Sequence, residues 1–454
     1  MGAVTLGLLV SCLSTAYAAD EPVPGRDVAV EAPEDPATVS DEEAWGDASW
    51  VMDEEMSELL AEGGDPAPIP DGLEDPTREE PTAGAGSEPP FIKPQQSPMS
   101  STREACSEPD EEGKTACVEQ VPPEALPQSR TAMAADTARA GVAPPQWCEQ
   151  SKGKVVGLRT SVCQVGGANF TTKQKINGVW RETGRAKLLF ISYSYGDTGL
   201  GTIAHQIEVT AFDGWGDALN KGSVKGSAKK TGACKVSSAK FPKKPLLPKN
   251  SWRLGESFYD TTIHTAGTKG KCKSTWTLTL QAAGYNDALL PVSFNEFRCD
   301  NATAGRPRVG CVIPWYPSIL YYDQATYPDL AKHVKRAQAS GLPGGSFKHP
   351  LTRTTNAQTI RDNRTKACGD APSIQGKSCD EYPIATSKQG LSSGGSRRSF
   401  SGCDLPNIPT GSGSRGASAC MINKGDNDAQ GGLNTQFFRR ERMLDGDPFQ
   451  IRIS

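Results

Sequence analysis

The distribution of cysteine constrains this chain more than any other feature. Of its 13 cysteines, Cys12 lies in an apolar leader. The other twelve fall into even local groups: Cys106 and Cys117; Cys148, Cys163, Cys234 and Cys272; Cys299 and Cys311; and Cys368, Cys379, Cys403 and Cys420. An even count suits an oxidising compartment, where bridges staple structures with modest cores. No CxxC spacing occurs and the chain has four His, which argues against a structural zinc site. Sequential pairing is the expected connectivity, one of many that six bridges allow.

The leader agrees with that compartment. MGAVTLGLLVSCLSTAYAAD ends in the small-x-small triplet Ala16-Tyr17-Ala18, so residues 1–18 read as a secretory signal peptide with a mature start near Ala19. Its first residues lack Lys and Arg. Leu9-Val10-Ser11-Cys12 resembles a bacterial lipobox, and lipoprotein anchoring is the minor alternative. No other run approaches the ~18 apolar residues that span a bilayer. A secreted protein without a membrane span is expected.

Charge divides the chain. Residues 20–147 hold 30 Asp/Glu against 7 Lys/Arg, a net of −23, and residues 148–454 hold 23 against 42, a net of +19. The overall −4 hides an acidic segment on a basic body. Such a body suits a polyanion, either nucleic acid or an anionic cell wall, with solubility alone as the competing reading. Residues 19–145 are rich in Pro, Glu, Asp, Ala and Gly and too poor in large apolar residues to offset chain entropy, so a disordered acidic linker is expected. Within it, residues 42–60 could form a short amphipathic helix, and the whole segment could fold back and mimic a polyanion.

From 147 to 300 the pattern is that of strands. KLLFISYSY (187–195), QIEVTAF (206–212) and TWTLTL (275–280) alternate or run apolar between Gly, Asn and Asp, which predicts a β-sandwich with internal bridges. The lysine-rich stretch 221–249 reads first as a solvated loop, with phosphate or cell-wall polymer binding as the alternative. The last unit is placed at 311–454. It opens with a strand at SILYY (318–322) and a helix from Pro328, with Leu330, Val334 and Ala337 on one face and Gly341 as its stop. A second helix is expected over 355–367 and a third over 433–440, after a polar turn at 423–432. Three Asn-x-Ser/Thr sites occur, at Asn169, Asn301 and Asn363.

One segment of this unit concentrates the chemistry. CDEYPIATS (379–387) sets two adjacent carboxylates in a region rich in Arg and Lys. Neighbouring acids point in different directions, so one can hold a cation while the other handles a proton. Alone, Asp380 and Glu381 read as an exposed pair, and Asn427 as a turn residue or helix cap. His333, on a helix with Lys335 and Arg336, reads as solvated, His349 as a loop residue that could approach the pair, Asp447 as part of the final turn, and Tyr382 and Phe449 as core.

Together, CDEYPIATSKQG, DNDAQGGLNTQFF and RMLDGDPFQIRI resemble, in order, the NucA/NucB family of secreted bacterial deoxyribonucleases. The resemblance covers about 318–454, and Lys388-Gln389-Gly390 departs from the family's pattern. It implies an α+β architecture with a C-terminal ββα-metal-type nuclease domain, in which two strands and a helix hold one divalent cation, Mg²⁺ or Mn²⁺, beside the scissile phosphate. Related HNH enzymes use His as base, whereas this family places an acid there. Carried onto this chain, Asp380 is the base, Glu381 a second catalytic acid and metal ligand or positioner, Asn427 the helix-borne metal ligand and Gln430 its support. His349 is a further candidate beside the site. Arg353, Arg361 and Arg364 are the candidate phosphate clamps.

The leading expectation is therefore a secreted, metal-dependent endonuclease hydrolysing DNA with little sequence preference, RNA being the alternative substrate. The alternative is a non-enzymatic secreted protein that binds cell wall or polyanion through its β-rich domain and carries a degenerate nuclease-like domain. A nuclease toxin ranks third.

Overall fold

A computed structural model describes residues 89–93, 104–127, 142–306 and 308–454, all within one compact unit. The leader, the 42–60 segment and most of the acidic region lie outside the described residues. The fold is sheet-rich with few helices, an α+β arrangement.

Fourteen strands build the first lobe: β1 (Phe91–Ile92), β2 (Ala105–Cys106), β3 (Lys114–Val121), β4 (Val155–Gly157), β5 (Ser161–Ile176), β6 (Val179–Asp197), β7 (Leu200–Trp215), β8 (Gly222–Gly232), β9 (Cys234–Lys240), β10 (Lys244–Pro245), β11 (Arg253–Thr261), β12 (Lys269–Ala282), β13 (Ala288–Asp300) and β14 (Gly310–Val312). Short helices α1 (Gln146–Glu149) and α2 (Gly216–Asn220) interrupt them. Nine strands form one sheet around the path β1-β4-β5-β6-β7-β11-β9, with β3 added beside β5 and β2 beside β3, and five form another in the order β10-β8-β12-β13-β14. Inward residues of both sheets, among them Phe170, Phe190, Ile207, Trp276, Leu278 and Leu290, share one buried cluster. Alternation explains it: β12 buries every second residue from Cys272 to Ala282 and turns the intervening ones outward.

Two expectations change here. Part of the supposed linker is ordered: Lys114–Val121 pairs along β5, and the Cys106–Cys117 bridge ties it to β2. Its own alternation and that local bridge outweigh the acidic composition around it. The lysine-rich stretch is strand rather than loop, supplying β8, β9 and β10.

The second lobe comprises β15 (Ser318–Tyr322), α3 (Pro328–Ala339), β16 (Leu351–Thr352), α4 (Ala357–Cys368), β17 (Lys377–Tyr382), β18 (Ser396–Arg398), β19 (Gly416–Asn423), α5 (Lys424–Arg440) and β20 (Pro448–Ile453). One three-stranded sheet runs β15-β20-β16 and another β17-β19-β18. Tyr382 and Phe449 lie in the core, as expected. Cys311 belongs to the first lobe, since β14 pairs with β13 and Cys311 bridges to Cys299. All six bridges join cysteines in sequence order. Helix α5 begins nine residues before the expected start. The side chain of Asn423 caps it by accepting from Gly425 N at 2.8 Å, which turns the polar stretch into its first turns.

A buried ion cluster joins the lobes. Asp447, at the turn before β20, accepts from Arg159 Nη2 at 2.7 Å and from Arg298 Nη1 at 2.6 and 2.8 Å. Reciprocally, Arg442 reaches into the first lobe, where its Nη2 donates to Asp300 Oδ1 at 2.9 Å and its Nη1 to the carbonyls of Thr198 and Arg308. Asp447 is thus far more than a turn residue. Burial alone would raise its pKa, but the charges of Arg298 and Arg159 outweigh that and hold it below the ordinary range. Gly310 sits where a Cβ would fall 2.0 Å from the Thr198 carbonyl and 2.8 Å from Arg442 Cδ, so the chain approaches this cluster only without a side chain.

Candidate active site

β17 pairs antiparallel with β19, Asp380 opposite Cys420 and Glu381 opposite Ala419, and β19 runs directly into α5. Alternation along β17 sends Ser378, Asp380 and Tyr382 to one face and Cys379 and Glu381 to the other. Helices α3 and α5 cover the first face, and α4 the second through the Cys368–Cys379 bridge.

On the first face Asp380 is 1% exposed. Its Oδ2 lies 2.5 Å from His333 Nδ1, and His333 Nε2 lies 2.9 Å from Ser418 Oγ. The other carboxylate oxygen, Oδ1, is buried without a hydrogen-bond partner among the described residues. Beside it Asn427 donates Nδ2 to Ser378 Oγ at 2.9 Å and to the Cys379 carbonyl at 3.3 Å. Tyr322 donates its hydroxyl to Asn434 Oδ1 at 2.6 Å and stands next to Gln430. Burial, then the charge of Asp380, lifts the Tyr322 pKa well above the ordinary phenol value and keeps it a neutral donor.

Two capping contacts align the helices. Asp426 Oδ2 accepts the Asp329 and Leu330 amides at 2.9 and 3.3 Å, closing the start of α3, while Asp329 Oδ2 accepts the Asn423 amide at 3.2 Å. The first turns of α3 and α5 are thereby clasped together.

Ser418, His333 and Asp380 have the connectivity of a hydrolytic triad. Ser418, however, is wholly buried within β19, where no acyl substrate reaches it. The succession instead fixes the Asp380 carboxylate. His333 is not solvated as expected: it shares the buried α3 face with Leu330, Val334 and Ala337. Its position three residues after Leu330 and four before Ala337 was the signal; the neighbouring Lys335 and Arg336 obscured it.

The remaining predicted residues separate. Glu381 Oε2 lies 3.9 Å from Cys368 Sγ, on the α4 face, so the structure does not bring it together with Asn427 as a ligand pair. Arg361 and Arg364 also ride on α4, with Arg361 exposed and accepted by Gln358 Oε1 at 3.2 Å. Arg353 is buried, donates Nη1 to the Met443 carbonyl at 2.6 Å and covers the Phe438 ring at 4.1 Å; it braces the turn before Asp447 and is withdrawn as a phosphate clamp. His349 is exposed in a loop where its backbone pairs with Ser346, with no side-chain contact to Asp380. Asn363 is buried and donates to the Ala385 and Ser387 carbonyls, so it is no glycosylation site in the folded protein. The same side chain explains Gly390, where a Cβ would come within 2.3 Å of Asn363 Oδ1.

The donor chemistry fits a hard cation. Both hydrogen bonds of Asn427 use its nitrogen, which leaves the amide oxygen available to a cation, while Asp380 Oδ1, on the face that α5 covers, is a carboxylate oxygen without a hydrogen-bond partner among the described residues. Mg²⁺ and Mn²⁺ suit such a sparse oxygen set, since Mg²⁺ retains waters and takes few protein ligands. Elsewhere among the described residues, Glu104 clusters with Cys106 and Cys117, whose sulfurs are spent in a bridge.

Residues 344–452 match the family model of deoxyribonuclease NucA/NucB. No curated protein matches the chain.

Proposed function

From a C-terminal module that is a NucA/NucB deoxyribonuclease domain, hence a DNA nuclease, we propose that this protein is a secreted, divalent-metal-dependent endonuclease acting on DNA with little sequence preference. In this reading β17, β19 and α5 form the ββα unit of a metal-dependent nuclease. The observation that carries it is Asp380: a buried carboxylate with one oxygen held by His333 and the other unspent, on the same strand face as the Asn427 amide.

When bound, a divalent cation stabilises negative charge on the scissile phosphate and the leaving oxygen. Asn427 offers its amide oxygen to that cation. Asp380 accepts the proton of the attacking water at Oδ1, a task for a base whose geometry is preset. His333 holds Oδ2, and Ser418 holds His333, so the carboxylate cannot rotate away from the substrate. Tyr322 and Gln430 close the site behind it.

A second reading rests on exposure. Glu381 is half-buried while Asp380 is almost fully enclosed, so Glu381 would take the proton, and Asp380 with His333 would hold β17 in shape. Plasmid nicking with Mg²⁺ or Mn²⁺, with and without EDTA, separates these readings. The first expects Asp380→Asn to lose about 10²–10⁴ in rate, the usual worth of a positioned base, with its melting temperature near wild type, and Glu381→Gln to stay within tenfold. The reverse order establishes the second reading. Intact plasmid with wild-type protein and either metal, or undiminished cutting in EDTA, overturns the metal-dependent nuclease reading itself.

A further inference from the structure

The outward face of the five-stranded sheet is a lysine-rich surface that the nuclease reading leaves unused. Along β12, Lys269, Lys271 and Lys273 point outward on alternate positions, followed by Thr275, Thr277 and Thr279, while Cys272, Trp276 and Leu278 point inward. The register carries the pattern onto β8: Thr275 faces Lys229, Thr277 faces Ser227 and Thr279 faces Lys225. The two strands contain six lysines and no acidic residue. Lys225 lies 4.0 Å from Asp287, a loose pair. Lys229, Lys271 and Lys273 make no ion pair among the described residues. Alternate residues on a strand stand about 6.7 Å apart and neighbouring strands about 4.8 Å, so these ammonium groups form a grid of point charges with hydroxyls between them. Lysine clusters on one face cost folding energy through mutual repulsion and return it only when an anion is present.

The same face is where the nuclease module docks. Lys271 is opposite Arg298 on β13, and Lys269 is opposite Asp300. Arg298 and Asp300 are buried because Asp447 and Arg442 of the module cover them. The module thus occupies the β13 side of the face and leaves β12 and β8 open beside it. Charge complementarity and this continuity point to one occupant.

We infer that the β8–β12 face is a second DNA-contact surface, binding the phosphate backbone of duplex DNA through Lys225, Lys229, Lys271 and Lys273. The inference rests on the nuclease reading only for the identity of the polyanion. Backbone binding without base readout follows from the residue types: lysine is a point-charge phosphate ligand, and these two strands turn no aromatic side chain outward, so they offer no stacking platform for single strands. For a nuclease with little sequence preference, such a surface raises the local concentration of long substrate without touching the chemical step.

The test uses the full chain with Lys225, Lys229, Lys271 and Lys273 all changed to Gln, and the matching Lys→Arg set as the charge-retaining control. Binding is measured by fluorescence anisotropy on a cleavage-resistant phosphorothioate duplex of about 40 base pairs between 50 and 300 mM salt. Each lost phosphate contact removes about 0.9 from the slope of log K against log salt. The Gln set is expected to lower that slope by about 2–4 and to raise KM on long DNA at least fivefold. Its kcat on a duplex of about 10 base pairs should stay unchanged, and the Arg set should retain the wild-type slope. An unchanged slope and KM in a folded Gln set refute the inference, and so does loss of binding only to isolated anionic cell-wall polymer. If wild type binds with the predicted slope but cuts no DNA, the surface stands and the nuclease reading falls.

Discussion

Replacing Asp447 by Asn tests whether the two lobes are one cooperative structure. The carboxylate is buried between Arg159 and Arg298, with contacts of 2.6–2.8 Å, and also accepts the Leu444 amide at 3.2 Å. Such contacts put charge centres about 4 Å apart, where an effective dielectric of 20 gives roughly 4 kcal/mol per pair. Desolvation of three ions consumes much of that gross attraction, so the informative quantity is the loss on removing one partner, about 3–5 kcal/mol for a buried pair. Asparagine keeps the shape and removes the charge. Its NH₂ must replace one oxygen, and the cheaper choice is Oδ1, which meets Arg298 alone, because Oδ2 serves Arg159, Arg298 and Leu444. The variant therefore keeps most of its hydrogen bonds, while Arg159 loses its carboxylate partner and Arg298 is left with Asp300 alone, 3.4 Å away. At about 2 °C per kcal/mol for a protein of this size, the melting temperature should fall by about 5–10 °C. The assay is a thermal melt with bridges intact, followed by near-UV circular dichroism and tryptophan fluorescence, in a double-mutant cycle with Arg298→Met. The two single losses should not add, with a coupling above about 1 kcal/mol. A shift below about 1 °C, or full additivity, would refute the view that this cluster holds the lobes together. The pH sign follows from the lowered pKa: the stabilisation is fully present above the unfolded-chain value near 3.9 and disappears as pH falls through the lower folded value. The gap between wild type and Asp447→Asn should therefore narrow below about pH 4.

Three further outcomes can be checked. His333→Ala leaves Asp380 buried without its Nδ1–H partner, so plasmid cleavage should drop about tenfold to a hundredfold, the range for losing an orienting group; a wild-type rate and pH profile would show that His333 only fills space. Removing the Cys368–Cys379 bridge, which spans 11 residues, should cost about 3 kcal/mol by loop closure and leave β17 cut more readily in limited proteolysis; unchanged melting and cleavage patterns would count against it. Burial lowers the His205 pKa to about 3, so the unfolded chain takes up a proton that the folded lobe refuses as pH drops from about 6.5. Stability should decline there by about 1.4 kcal/mol per pH unit, and His205→Gln should flatten that part of the curve; parallel curves would remove His205 as the cause.

Local chemistry was legible in the linear chain because it depends on near neighbours. Six bridges closed between sequential cysteines, Pro328 opened α3, and CDEYP, DNDAQGG and LDGDPF marked the nuclease module that residues 344–452 match. Strand alternation likewise located β6, β7 and β12 from their own side chains. Where an expectation failed, the missing information was a partner distant in sequence. Acidic composition hid β3, whose order comes from pairing with β5, more than 40 residues on. His333 meets Asp380 only because α3 crosses β17, 47 residues away in the chain. Arg353 proved structural once Phe438 and the Met443 carbonyl surrounded it.

Sequence by itself determined the identity of the module and the pairing of the cysteines, and it marked the carboxylate pair as the candidate site, since each is written in residue types at short spacing. Tertiary structure alone decided which face of β17 each carboxylate occupies, because the two-residue strand period acquires meaning only when helices cover each side. It also decided that the β-rich lobe and the nuclease module share a buried ion cluster. Charges at 159, 298 and 447 carry no mark of one another until folding removes the water between them, and without that water each must find its counter-ion.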